Sequence, residues 1–359
     1  MPMKIAVLGG GHGAYAAAAD LSEQGHEVRL WRRDRAAFAP VLEKRSIALL
    51  DERGQREVPL QPTSEIGKAV SGAELVLLPG PATAQLDITR AMAPHLASGQ
   101  VVFMPPGTFG SYAMAKVASR PGVLWAETGT LPYLARKRGP AEVAITVRAV
   151  RLPTGVFPAR DADAAIAVLQ KAYPAVHGCG NALSGALLNA GPIIHPPLIV
   201  MNAGPIEHFE RWDIHKEGTQ GSIRRVTDAL DAERIAVRKG FGYGGPHFPL
   251  AHHYATEGEQ WMYGRGSHDR LTDSGDWRER IVLTEHRYMR EDLRLGLSFL
   301  VSVAELAGVA TPLAFSFLAI GGAICGEDFL AGGRTLASLG LGHLARDELQ
   351  TLLREGFDG

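Results

Sequence analysis

A histidine and a distant arginine–aspartate pair carry the plainest chemistry in this sequence. His195 closes the apolar run that begins at Asn189 and is followed at once by Pro196. Much later, the stretch from His286 through Arg287, Arg290 and Glu291 to Asp292 opens a strongly apolar segment. A carboxylate beside an imidazole holds the ring's orientation and raises its pKa. Such a histidine suits general acid–base work. An arginine close by suits a substrate carboxylate, which its planar fork grips bidentately. Arg287 and Asp292 lie five positions apart, so they do not share one narrow α-helical face, yet both can reach a cleft at the helix start. Blander readings stand beside this one. A lone histidine in an apolar run is more often a buried, hydrogen-bonded core residue. The charges from Arg287 to Asp292 also fit a solvated cluster at a helix start.

The second constellation is at the N-terminus. Lys4–Leu8 is an apolar run. Gly9-Gly-Gly11-His12-Gly13-Ala14 follows, and then the small-residue stretch Tyr15-Ala-Ala-Ala-Ala-Asp20. The pattern is G-x-G-x-x-A, with Gly9 for a tight turn, Gly11 for close approach of a pyrophosphate and Ala14 for close helix–strand packing. A helix start there would offer unpaired N–H groups and a positive dipole end to phosphates. We therefore expect a dinucleotide site that includes Gly9, Gly11, His12, Gly13, Ala14 and Pro81; a phosphate-free turn is the plainer alternative. At the end of the second strand, Val28-Arg-Leu-Trp31, the place of the acidic residue that binds ribose hydroxyls in NAD enzymes holds Arg32. A guanidinium there can bind a 2′-phosphate, so NADP is expected over NAD, with Arg32 and Arg33 in the site. Alternatively both arginines are solvated and merely stack on adenine, and Asp34 turns inward to the ribose.

These two sites need elements to hold them. The chain has 359 residues, 46% hydrophobic and 21% charged, with net charge -1. That is enough for two globular domains, and no bulk field favours nucleic acid or an anionic membrane. Two cysteines, Cys179 and Cys325, with no C-x-x-C pair, argue against a disulfide framework or zinc ribbon. A strand right at the start leaves no room for a signal peptide, so the cytoplasm is expected. The apolar region from Leu293 to Cys325 contains Arg294, Glu305 and the Thr311-Pro312 step, so it reads as two buried helices, not one span.

Residues 1–178 alternate strand-like and helix-like segments. Strands are expected at Lys4–Leu8, Glu27–Trp31, Glu74–Leu78, Gln100–Met104 and Val123–Glu127, with Glu142–Val150 extending the same sheet. Ile47–Leu50 and Val58–Leu60 should form a short pair around the Asp51–Gly54 turn. Helices are expected at Ala14–Gln24, Ile66–Val70, Ala84–Leu96, Ser111–Ala118 and Asp161–Ala172. This alternation implies a Rossmann-type, doubly wound, mostly parallel α/β sheet. Residues 179–359 read as all-α, with helices at Ser222–Gly240, Arg287–Ala307, Pro312–Ile324 and within Ser338–Gly356. An active site is expected in the cleft between the two domains.

The glycine turn, the Ile194-His195-Pro196 step and the Arg287…Asp292 pair resemble the opine dehydrogenases, which include the octopine and nopaline enzymes. The likeness runs over nearly the whole chain, through Glu127-Thr128, Asp231–Ile235, Thr311-Pro-Leu313 and Gly333–Leu336. It implies NAD(P)H-dependent reductive condensation, in which an amino acid or other amine joins a 2-oxo acid such as pyruvate through an imine. It also implies His195 as the acid/base, Asp292 tuning it, Arg287 on the keto-acid carboxylate, and a homodimer. A bacterial member has asparagine four residues before the histidine. Here Gly191 stands there, and Asn189, two residues further back, is the candidate substitute on the substrate.

His208, Trp212, His215, His247, His252, His253 and Trp261 crowd the middle of the second half. A metal at His252-His253 is one reading, but adjacent helical residues point in different directions. No metal site is expected, and a polar aromatic pocket or subunit contact fits better. Two rivals remain: a simple keto or imine reductase like ketopantoate reductase or glycerol-3-phosphate dehydrogenase, relying on Lys216 or Lys239, and a nucleotide sensor without catalysis.

Overall fold

The computed structural model describes residues 2–357 except 276. The chain divides into two compact units, Met1–Ala186 with Leu353–Gly359, and Leu187–Leu352.

The first unit contains twelve strands among its described residues: β1 (Lys4–Leu8), β2 (Glu27–Trp31), β3 (Ser46–Asp51), β4 (Gly54–Pro59), β5 (Gln61–Thr63), β6 (Leu75–Leu77), β7 (Val101–Met104), β8 (Leu124–Thr128), β9 (Tyr133–Gly139), β10 (Glu142–Arg148), β11 (Leu152–Phe157) and β12 (Val176–Asn181). Eight form one sheet in the order β12-β11-β8-β7-β6-β1-β2-β5. Its pairs are parallel except β11 with β8. β1, β6 and β7 are apolar runs buried on both faces, as parallel strands covered by helices must be. The other four strands form a separate sheet, β4-β3-β10-β9.

That second sheet corrects one expectation. β10, read from the sequence as an extension of the main sheet, pairs with β3 in parallel and with β9 antiparallel. The alternating pattern Glu-Val-Ala-Ile-Thr-Val-Arg fixes its faces but not its partner. Pairing of β10 with β3 joins strands about a hundred residues apart, and no local signal specifies it. The short β5 and strands β9, β11 and β12 were not expected either. β12 reads Val-His-Gly-Cys-Gly-Asn, whose glycines and polar residues hide a strand from propensity.

The helix His12–Glu23 explains the run of alanines. Residues Gly13 through Leu21 are all buried, because this helix packs on β1 and β2 on one side and on β3, β9 and β10 on the other. Small side chains permit both approaches. Asp20 is buried within it and pairs with Arg148 at 2.8 Å and with the Tyr133 hydroxyl at 3.0 Å. Arg148 also reaches Asp51 at 2.7 Å, and Arg56 reaches the same carboxylate at 2.7 Å, so buried charges are paired across the second sheet. These arginines hold the Asp51 carboxyl well below the usual carboxylate range.

The second unit is helical. Its main helices are Gly191–Met201, Gly221–Gly240, Ser298–Ala307 and Pro312–Cys325, preceded by a π-helix at Tyr288–Leu297. Ile223, Leu230 and Val237 of Gly221–Gly240 are buried as the periodicity requires, whereas Val226 and Ile235 are only partly so. The division at Ala186 falls later than the expected boundary at 178. β12 pairs with β11, and helix Ala182–Ala186 packs on β11, so these residues are held by the first unit. Within the expected terminal helical stretch from Ser338, only Arg346–Glu355 is helical among the described residues. Gly340 and Gly342 interrupt the segment before it. By length and apolarity the stretch Ala182–Met201 could cross a membrane, but 72% of it is buried and its helices break at 187–190.

Candidate active site

In the second unit, His195 and Asp292 come together although 97 positions separate them. His195 Nδ1 and Asp292 Oδ2 lie 2.8 Å apart, the ring nitrogen donating to the carboxylate. Helix Gly191–Met201 carries the histidine and the π-helix carries the aspartate. The two elements approach closely because Gly296 has no side chain: a Cβ there would fall 2.3 Å from Pro192 Cγ. A second glycine makes room for the carboxylate itself. A Cβ on Gly191 would sit 2.2 Å from Asp292 Oδ1.

Asp292 is 4% exposed, and burial pushes its carboxyl up to about 6, while Arg287 and His286 pull in the opposite direction. His195 keeps 16% of its side chain exposed, so the dyad's imidazole reaches the surface and its carboxylate does not. The imidazole is also held from its face. The Tyr288 ring stacks on it with centroids 3.6 Å apart and planes 8° from parallel. Tyr288 hydroxyl meets His215 Nε2 at 2.9 Å, and His215 packs edge-on against Trp277. Tyr288, His215 and Trp277 were missed as a group. Tyr288 sits between two residues that sequence reading did select, whereas no spacing rule brings residue 215 to it.

The π-helix revises the relation of Arg287 to Asp292. Its hydrogen bonds run i→i+5, so a residue and its fifth successor come onto one face. Arg287 immediately precedes this helix, and its charge is felt by Asp292. Its side chain is 47% exposed, with Nε 3.6 Å from the buried Glu291 carboxylate. The guanidinium is therefore held at one edge and accessible at the other. Asn189 takes a local position. Its Oδ1 accepts the Gly191 N–H at 3.0 Å at the start of the histidine helix, and the residue is 4% exposed.

The crowded histidines divide. His253 packs with Trp261, Tyr254 and His268 in its own cluster, and burial, seconded by His268, brings its pKa down to about 3. His252 is partly exposed, 4.0 Å from Glu259. Among the described residues no group of three His, Cys, Asp or Glu side chains converges as a metal site would. The two lysines a simple reductase would use are peripheral. Lys216 is half exposed and pairs with Asp273 at 3.3 Å, and Lys239 is exposed at the end of its helix.

In the first unit, the glycine turn joins β1 to helix His12–Glu23 as expected. Gly9 has φ +149°, a conformation side chains disfavour, and its N–H donates to the Trp31 carbonyl at 2.9 Å. The space a Cβ on Gly11 would occupy is open, with no atom within 4 Å. The same position on Gly13 would meet Leu131 Cδ2 at 2.8 Å and Pro79 Cβ at 3.3 Å, so the loop after β6 lies against the turn. Pro81 is exposed on that loop. Ala14 is buried against Gly9. His12 Nδ1 accepts the Lys137 N–H at 2.8 Å. Arg32 is partly buried and donates to the Ala37 carbonyl at 3.1 Å; Arg33 is exposed. Asp34 Oδ1 accepts the Ala37 N–H at 3.0 Å and shapes the loop after β2. An open backbone over Gly11, helix N–H groups and a basic residue at the end of β2 fit a dinucleotide.

Comparison with known proteins agrees with both units. Residues 178–325 match the family described as NAD/NADP octopine/nopaline dehydrogenase, alpha-helical domain. Residues 4–121 match the family described as NAD-dependent glycerol-3-phosphate dehydrogenase N-terminus. An opine dehydrogenase of Arthrobacter sp. (strain 1C) is 27% identical over 350 residues, covering 94% of this chain and 95% of that one. A vitopine synthase of Allorhizobium ampelinum is 25% identical, covering 94% and 96%. An octopine dehydrogenase solved with NADH and agmatine shares the fold, with TM-score 0.72 at 18% identity over 99% of both chains. These matches indicate an NAD(P)-dependent oxidoreductase acting on CH–NH groups and support NAD(P)H-dependent reductive condensation. Within that class, the chain is similar over nearly its whole length to the opine dehydrogenases, and residues 178–325 match the helical domain of the octopine and nopaline enzymes.

Proposed function

We propose that this enzyme condenses a 2-oxo acid such as pyruvate with an amino acid or other amine and reduces the resulting imine, using NADPH in preference to NADH. The observation that carries the residue roles is the His195–Asp292 contact at 2.8 Å, in which the carboxylate is buried and the imidazole is not. Asp292 holds Nδ1, so Nε2 is the nitrogen that exchanges a proton with substrate. That nitrogen protonates the carbonyl-derived oxygen as it leaves as water; Asp292 stabilises the imidazolium before the transfer, and the ring is left neutral with Nδ1–H still on the carboxylate. The half-exposed Arg287 binds the 2-oxo acid carboxylate and fixes the carbon to be reduced. The bound nicotinamide supplies the hydride. Tyr288, stacked on His195, limits the ring's rotation. Asn189, whose Oδ1 accepts the Gly191 N–H at the start of the histidine helix, acts on the substrate. Arg32, at the position that reads the ribose, supports NADPH. We expect a cytoplasmic homodimer; light scattering tests the dimer.

The deciding experiment mixes the protein with NADPH, one 2-oxo acid and a panel of amino acids, and follows nicotinamide absorbance with mass spectrometry of the product. Turnover requiring both carbonyl and amine, with a secondary-amine dicarboxylate as product, is expected. Turnover indifferent to every amine would overturn condensation in favour of a simple keto reductase.

A further inference from the structure

Lys137 lies on β9, in the second sheet of the first unit, and reaches over the glycine turn. Its N–H donates to His12 Nδ1 at 2.8 Å, and its Nζ donates to the Gly10 carbonyl at 3.3 Å. The ammonium stands 3.7 Å from the centroid of the Tyr15 ring. Arg32 reaches the same glycine from the end of β2. A Cβ on Gly10 would fall 2.5 Å from Arg32 Cδ and Nε. Gly10 thus has a guanidinium stem against its Cα and an ammonium on its carbonyl.

Acidic side chains do not neutralise these two cations. Among the described residues, Arg32 has one carboxylate in ion-pair range, Asp34 at 3.7 Å, and that side chain is 59% exposed. Lys137 has none there. Burial, and then the neighbouring Arg32 charge, bring the Lys137 ammonium down to about 8. Like charges held together and partly desolvated are unfavourable unless an anion joins them. A dinucleotide offers two phosphate positions. The pyrophosphate belongs at Gly11 and the helix N-terminus, where the backbone is open. The end of β2 is where the adenosine ribose is read, and Arg32 ties Lys137 to that end of the turn.

We propose that Lys137 and Arg32 together grip the 2′-phosphate of NADP(H), which makes Lys137 a cofactor-specificity residue supplied by the second sheet. The proposal rests on NADP(H) being the preferred cofactor. A phosphate near −2 at neutral pH matches the two positive charges, and Tyr15 backs the ammonium on its other side. Arg32 supplies a planar donor fork and Lys137 a point charge.

The test is direct binding, read by nicotinamide fluorescence, of NADPH and NADH to the wild-type protein and to Lys137→Met and Lys137→Arg. Methionine keeps the stem over Tyr15 and removes the charge. Lys137→Met should weaken NADPH about ten- to a hundredfold, the range for losing one charge-assisted contact. It should change NADH by less than about threefold. Lys137→Arg should regain most of the NADPH affinity. Equal weakening of both cofactors would overturn the proposal, since the lysine would then serve the pyrophosphate or the fold. So would undiminished NADPH affinity in Lys137→Met. A wild-type protein that prefers NADH would overturn the NADP reading itself, a result distinct from either variant outcome.

Discussion

At the residue scale the candidate site turns on how a buried carboxylate is seated. Asp292 is almost wholly enclosed, and its ionised form is favoured there by the nearby Arg287 and His286 charges, while His195 Nδ1 lies 2.8 Å from it. Gly191 leaves the space that its Oδ1 occupies. Gly191→Ala should therefore push the carboxylate off the imidazole and lower kcat about ten- to a hundredfold, with thermal stability changed by only a few degrees; unchanged kcat would show that the carboxylate can shift without loss. The same burial sets a pH dependence. The Asp292 carboxyl titrates at about 6 in the folded protein, above its usual value of 3.8. A raised carboxyl favours the protonated folded form, so its ionisation destabilises the fold as pH rises from about 4 through 6. Activity runs the other way, because only the carboxylate can stabilise an imidazolium. kcat/KM should fall below about pH 6, and Asp292→Asn should lose that acid limb together with about 10²-fold or more in rate. A limb that survives Asp292→Asn would assign it to another group.

At the element scale, a π-helix and two close helix contacts do what individual propensities do not. The π turn brings Arg287 and Asp292 onto one side, and the Gly296–Pro192 contact brings that side to His195. Elsewhere in the unit, two segments on which the resemblance rested prove to be supports. Asp231 pairs with Arg234 at 2.6 Å, and Arg234 binds the carbonyls of Leu187 and His247. Glu233 accepts the N–H groups of Leu313 and Ala314 at 2.8 and 3.0 Å, capping the helix that begins at Pro312. Glu233→Ala removes that carboxylate cap and should cost about 1–2 kcal/mol of stability by chemical denaturation while kcat stays within about twofold. A large loss of kcat with stability unchanged would place Glu233 in the chemistry instead.

At the scale of the whole molecule, the residues proposed for the cofactor belong to one compact unit and the proposed acid–base dyad to the other. Binding of nucleotide and proton transfer should separate by mutation. His195→Ala should lose about 10²–10⁴-fold in turnover yet bind NADPH within about twofold of wild type by fluorescence titration. A parallel loss of NADPH affinity would mean that His195 also holds the cofactor.

Much of this was legible beforehand because it is encoded locally. The strand–glycine–helix sequence from Lys4 to Glu23 specifies its own turn, since Gly9 adopts a backbone that other residues resist and the alanines permit close packing. Helices Gly221–Gly240 and Pro312–Cys325 follow from periodicity and from Pro312 at a helix start. The residue types at His195, Arg287 and Asp292 pointed to acid–base chemistry on a carboxylate substrate. Tertiary structure alone decided the rest. It put β10 beside β3, set Lys137 over Gly10 and joined His215 to Tyr288. Each of these depends on long-range packing. Pattern along the chain reports which face of an element is apolar; it does not report which distant element will cover that face.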